Sequence, residues 1–302
     1  MMHVALRVYR VFAGSFCLYM SAFRFGLCLA SLFLLAVAAL CQTPGNLRTI
    51  VEKRLKDSKT RLADVCPVDT DSPANRIFSD YGAIFVSASN NPLPPKCIFD
   101  SEDEVSAFRV NLASDTQNIG GAAVTLQRDA MAALISARED AVKNGLNITP
   151  RGGTTGSART FGDTVRLWNS RFLPGLEHWA AAGKITRKDA DAARGSSIPE
   201  QIKKVLEWEQ HGLYFSKDLS KSILYSVAAP GASQHIFMLA LDVEQYSNAS
   251  VRKILADHGW FQTVKSDMPH FTYLGVKESE LPSLGLKPVN VDGQKFWIPN
   301  VE

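Results

Sequence analysis

The chain of 302 residues has little net charge: 33 Lys and Arg stand against 30 Asp and Glu, a formal +3. That excess is too small for a phosphate-tracking surface. No basic run is interleaved with aromatics, so nucleic acid is not an expected partner. Cysteine is scarce, five in all, and no two stand as Cys-x-x-Cys, which argues against a cysteine metal site. The phosphate-loop pattern GxxxxGK[ST] is missing, because the Gly/Thr/Ser-rich stretch from Gly152 to Ser157 lacks glycine and lysine at the required places. HExxH and GxSxG are absent too, which removes two large classes of hydrolase. Ser250-Val251-Arg252-Lys253 fits SxxK, but no KTG follows and too little chain remains for the other elements of that class of serine enzyme. There is no internal repeat.

What is present has ordinary globular proportions, 46% hydrophobic and 21% charged, and a length that allows one large domain with a small extension. Residues 26–40 are almost wholly apolar, with Arg24 just before them and Arg7 and Arg10 upstream. A charged region followed by an apolar run of this length suits a secretory signal and is short for a membrane span. Ala36-Val37-Ala38 offers small residues for cleavage, and Met20 is an alternative start, since the 19 residues before it are long for a signal's charged region. Cys41 is a candidate for lipidation, although Leu40 before it is too bulky for that signal. Residues 1–41 are therefore expected to be a signal peptide or N-terminal anchor, and the protein to be exported to the periplasm or cell envelope, touching membrane only if that segment stays uncleaved. In an oxidising compartment Cys66 and Cys97, closing a loop of about 30 residues, suggest a disulfide contributing roughly 3 kcal/mol. Two buried free thiols are the alternative.

Residues 42–118 read as an extension packed on a main domain of residues 119–302. Ala83-Ile84-Phe85-Val86 is a strand candidate, followed by a turn-rich run from Asn90 to Pro95. Residues 101–116 suggest a short helix with an acidic first turn, Glu102, Asp103 and Glu104. From Val124 to Asn144 the spacing of Leu126, Ala130, Leu134, Ala137 and Ala141 predicts a helix, ended by Gly145. Leu146 to Thr149 reads as a strand. Thr160 caps a helix with Asp163 three residues on, and Ser197-Ile198-Pro199-Glu200 is a capping box. A helix over residues 250–258 is closed by Gly259, and strands are expected at 239–243, 261–264 and 271–276. Helices dominate the first half and strands gather late, which indicates an α+β fold, an antiparallel sheet with flanking helices.

The chemistry concentrates in two places, the segment from Ser233 to Asp242 and Asp267-Met268-Pro269-His270. His235, Asp242 and His270 supply two imidazoles and a carboxylate, the ligand set of a catalytic zinc ion with an open fourth position. Residues seven apart on a flat strand lie on opposite faces, so the chain between His235 and Asp242 must bend if both are to share a metal. Asp242 would come from a strand, His235 from the loop before it, and His270 from the start of an adjacent strand.

Ser-x-His-x-x-x-x-Ala-x-Asp followed by acid-x-x-His-Phe-x-Tyr resembles the zinc D-alanyl-D-alanine carboxypeptidase and dipeptidase family of the VanY and VanX type, which has the hedgehog/DD-peptidase fold. The family pattern reads SxHxxGxAxD and ExxH, the latter often within EPWHFRY. Ser233, His235, Ala240 and Asp242 match the first motif, and His270, Phe271 and Tyr273 the second. The likeness spans roughly residues 122–276. It implies that His235, Asp242 and His270 bind one zinc ion, that Asp267 takes the place of the catalytic Glu, and that Ser233 binds the substrate carboxylate. The family's upstream arginine resembles Arg159 in Arg159-Thr160-Phe161, with Arg151 as the competing candidate. Met238 stands where the family has Gly, Asp267 where it has Glu, Pro269 where it has Trp, and Thr164 where it has Gln. The activity implied is zinc-dependent hydrolysis of the terminal D-Ala-D-Ala bond of peptidoglycan stem peptides by a monomer. A catalytically weak zinc-containing cell-wall binding module and an endopeptidase cutting a different peptidoglycan bond are the alternatives.

Overall fold

The computed structural model describes residues 45–302, with 89 and 266 excepted. The expected signal or anchor over residues 1–41, the alternative start at Met20 and the lipidation candidate Cys41 lie outside the described residues. Among the described residues no helix is long and apolar enough to cross a membrane.

Asn46 opens the first helix, α1 (Leu47–Asp57), its side-chain oxygen accepting from the Thr49 N–H at 3.2 Å. Leu47, Val51 and Leu55 recur every four residues and are buried, each such side chain contributing about 1.5–3 kcal/mol. After the short α2 (Leu62–Val65), Asp71 caps α3 (Ser72–Tyr81), with Pro73 in the first turn. The strand expected at Ala83–Val86 is instead a 3-10 turn, Gly82–Val86, continuing from α3. All five of its residues are buried, so packing overrides the strand preference of Ile, Phe and Val. Cys66 and Cys97 form the expected disulfide, their Cα atoms 5.2 Å apart. Ser101 caps α4 (Glu102–Arg109) through the Glu104 N–H.

The chain then turns into β1 (Ser114–Ile119), which ends the expected 101–116 helix early. β1 pairs with β2 (Ala122–Gln127) across Gly120-Gly121, whose φ angles are 60° and 84°. Two consecutive positive φ values define the tight hairpin turn that Gly-Gly accepts without steric cost. The helix expected from Val124 therefore starts only at α5 (Arg128–Lys143), which keeps Ala130, Leu134, Ala137 and Ala141 as its buried stripe. Leu126 is buried from β2 instead. It lies two residues from Val124 and four from Ala130, so it satisfies both periods, and the hairpin decides between them. Leu146–Thr149 forms no strand. One isolated bridge pairs Pro150 with Val243, and Pro150 has no N–H with which to extend it.

Thr160 and Asp163 cap α6 (Phe161–Ala181) reciprocally, and Ser197 and Glu200 do the same for α8 (Ile198–Gln210), with α7 (Arg187–Gly195) between them. Trp168, Phe172, Val205 and Phe215 form a hydrophobic cluster that Ile77 and Tyr81 of α3 complete. A larger cluster joins Leu47 and Phe85 to Leu134, Leu241, Phe271 and Leu286. Residues from both sides of position 118 thus share both cores, and Pro44–Glu302 is one compact unit.

The central sheet has the order β3 (Ala240–Asp242), β5 (His270–Tyr273), β4 (Trp260–Phe261), all antiparallel. Between β3 and β4 lies α9 (Ala249–Asp257), capped by Asn248 and closed by Gly259 at φ 77°. A last hairpin, β6 (Leu286–Val291) and β7 (Gln294–Pro299), turns on Asp292-Gly293. Among the described residues the fold is α+β, with three small antiparallel sheets in place of a single one. Leu241, Phe271 and Tyr273 enter the larger core. Alternation along the strands then turns Asp242 and His270 to the other face.

Candidate metal centre

Asp242 and His270 are direct partners in the β3–β5 register. His235 comes from a 3-10 turn, Gln234–Phe237, just before β3. Met238 makes the bend between turn and strand in the left-handed region, φ 53° and ψ 32°. A methionine thus occupies the backbone conformation for which glycine is the default. Gln127 secures the bend: its Nε2 donates to the Phe237 carbonyl at 2.8 Å, and its backbone N–H to the Met238 carbonyl at 2.9 Å.

Three atoms converge here. His235 Nε2 lies 3.1 Å from His270 Nδ1. Asp242 Oδ1 lies 3.3 Å from each of them. A tetrahedral ion bound at about 2.0–2.1 Å has ligand–ligand edges of about 3.3 Å, so the triangle has the size of one face of such a shell. Among the described residues this is a cluster able to hold a metal ion. The outward nitrogens fit the same reading. His235 Nδ1 donates to the Ser157 carbonyl at 2.6 Å, and His270 Nε2 to Gln234 Oε1 at 2.9 Å. With its outer nitrogen protonated, each imidazole directs a lone pair into the triangle. Ser157 is brought up by the loop before α6. At Gly156 in that loop a Cβ would fall 2.3 Å from the Arg151 carbonyl, so only glycine fits there.

Burial, and then the Arg159 charge, push His235 down to about 4, so it is neutral and able to ligate near pH 7. Burial alone would raise Asp242, but its pairing with His235 and His270, together with Arg159, holds it well below the usual carboxylate range. The triangle is therefore a neutral histidine and an ionised carboxylate converging with a second imidazole, a donor set suited to a divalent cation.

The remaining expected residues fall at different places. Arg159 Nη2 donates to Asp242 Oδ2 at 2.5 Å and its Nε to the Thr155 carbonyl at 2.8 Å, so it orients the carboxylate that completes the triangle. Arg151 directs its guanidinium elsewhere, 3.7 Å from Glu244 Oε1 and over the Tyr246 ring. Ser233 is buried at the head of the turn that carries His235, with its carbonyl accepting from the Ile236 N–H at 3.0 Å. Asp267 lies three residues before His270, whose backbone N–H donates to the Asp267 carbonyl at 3.2 Å. Burial, helped by Asp242, pushes the Asp267 carboxyl up to about 6 against the pull of His270, Arg159 and Lys221.

Sequence reasoning missed Ser157, Gln127 and Gln234. The Gly-Gly hairpin dipeptide was a readable signal that Gln127 ends a strand; the other two carry none. Comparison with family models, with curated proteins and with solved structures returned no match to this chain.

Proposed function

We propose that the protein is an exported zinc metallopeptidase that removes the terminal D-Ala from peptidoglycan stem peptides. The observation that carries this reading is the triangle of His235 Nε2, His270 Nδ1 and Asp242 Oδ1, with edges of 3.1–3.3 Å and both outer imidazole nitrogens anchored. It coincides with the residues that carry the resemblance to the zinc D-alanyl-D-alanine peptidases. A bound zinc ion would polarise the scissile carbonyl and acidify a water. Asp267, raised toward neutrality by its burial, accepts the proton of the attacking water and delivers it to the leaving amine. Arg159 keeps Asp242 turned inward and sets a positive charge beside the reacting carbonyl. Ser233 is the candidate for the substrate carboxylate. The Cys66–Cys97 disulfide and the apolar N-terminal run support export to an oxidising compartment.

The test is D-Ala release from a stem pentapeptide, read together with bound zinc. One zinc per chain is expected, with release stopped by chelation. His235→Ala should lose both metal and release, whereas Asp267→Ala should keep the metal and lose about 10²–10⁴-fold in rate. Zinc bound without release from any stem peptide would replace the carboxypeptidase by the binding module or by an endopeptidase of different bond. A chain that binds no metal would sink both.

A further inference from the structure

Residues 45–118 hold no ligand of the triangle, yet two of their groups reach its supports. One is Tyr81, the last residue of α3. Its carbonyl accepts from Gln234 Nε2 at 2.9 Å. A carbonyl only accepts, so the Gln234 amide is held with its NH₂ toward Tyr81 and Oε1 away from it. Oε1 is then the atom 2.9 Å from His270 Nε2, and it too only accepts. His270 Nε2 must carry a proton, so in the neutral ring the lone pair lies on Nδ1. Thr272 Oγ1 lies 2.5 Å from the same oxygen, and Thr263 Oγ1 lies 2.6 Å from Thr272 Oγ1. These hydroxyls are buried, as is Gln234, which is 1% exposed. Turning the amide over would set Oε1 against the Tyr81 carbonyl, two buried acceptors face to face.

The other group is Arg109, at the end of α4. Its Nε donates to the Ile236 carbonyl at 2.9 Å. Its Nη2 meets the Arg159 carbonyl at 2.5 Å and the His235 carbonyl at 3.3 Å. One guanidinium thus joins the turn carrying His235 to the segment carrying Arg159.

We propose that residues 45–118 are a working part of the metal centre: the Tyr81 carbonyl, acting through Gln234, sets the tautomer in which His270 offers Nδ1 to a divalent cation, and Arg109 positions the turn of His235. Gln234 and Arg109 are positioning residues, since neither supplies a ligand atom. The inference rests on the metal-binding part of the proposed function and not on the reaction.

Zinc affinity of the full-length, metal-free protein is measured by chelator competition for the parent, Gln234→Met and Arg109→Met, with metal-free melting recorded beside it. Each variant is expected to bind zinc about 10–100-fold more weakly than the parent while still melting cooperatively. In parallel, imidazole nitrogen NMR of the metal-free parent is expected to show His270 protonated at Nε2, and Gln234→Met to show a mixture of tautomers. Parent-like affinity in Gln234→Met, within roughly threefold, overturns the Tyr81–Gln234 role; parent-like affinity in Arg109→Met overturns the Arg109 role. If Gln234→Met does not fold, the parent spectrum decides, because a His270 ring that carries its proton on Nδ1 and none on Nε2 overturns the proposal by itself. D-Ala release is not read, so failure of the peptidase reading and failure of this one are separate results.

Discussion

His235 and Asp267 pull the pH dependence of stability in opposite directions. His235 is held near 4 against an ordinary 6.5, by burial and then by Arg159. As pH falls through that window the unfolded chain takes up a proton that the folded chain refuses, so stability drops. Asp267 is raised by burial from 3.8 to about 6. There the folded chain takes the proton first, and stability rises as pH falls from 6 toward 3.8. In the metal-free protein the two contributions largely offset each other. Asp267→Asn removes the rising one. Urea titrations at about pH 7 and about pH 4.5 should show a loss of a few kcal/mol in the metal-free variant and a smaller change in the metal-free parent. An equal loss in both would mean that the Asp267 carboxyl is not raised.

At the scale of elements, the bend between the His235 turn and β3 carries a local strain. Met238 occupies the left-handed region at φ 53°, which costs a non-glycine residue about 1–2 kcal/mol. Its side chain is nevertheless 4% exposed, and emptying the space of a buried methionine costs about 2–5 kcal/mol. Packing exceeds strain, which accounts for methionine in a backbone conformation for which glycine is the default. Met238→Gly is therefore expected to destabilise the protein by about 1–3 kcal/mol despite the relaxed backbone. A higher urea midpoint for the variant would show that strain dominates. The hairpins show what a local pattern can and cannot convey. Gly120-Gly121 and Asp292-Gly293 are turn dipeptides readable from sequence. The stripe of α5, extended by Leu126, masked the first of them, since Leu126 stands two residues from buried Val124 and four from buried Ala130 and so fits a strand and a helix alike.

For the molecule as a whole, the disulfide and the candidate metal cluster lie in different parts of one unit. Reducing Cys66–Cys97, which closes a loop over a separation of 31 residues, should lower stability by roughly 3 kcal/mol through the unfolded chain. Denaturant unfolding with and without reductant measures it, and an unchanged midpoint would contradict the expectation. His235, Asp242 and His270 converge only where the turn before β3, β3 itself and β5 are assembled, so on the proposed reading zinc should stabilise the folded chain by about 2.7 kcal/mol at one hundred times its dissociation constant. Calorimetric melting before and after chelation reads this directly. Absence of any shift at saturating zinc would remove the metal centre from the fold's energetics.

The three residues of the candidate metal cluster were legible in the sequence. His235, Asp242 and His270 lie in two short segments whose strands pair directly, so spacing along the chain carries through to proximity in space. The caps at Thr160 and Ser197 were equally legible, because a capping residue and its partner lie within one turn. Only the tertiary structure decided the surroundings of these three residues. The Ser157 carbonyl reaches His235 across 78 residues, and the Tyr81 carbonyl reaches Gln234 across 153. Backbone carbonyls are identical at every position, and a glutamine beside a histidine has no periodicity that announces a role. The choice between Arg159 and Arg151 was open for the same reason. Both precede α6 on one loop, and the folded path of that loop sends Arg159 to Asp242 and Arg151 to Glu244 and Tyr246.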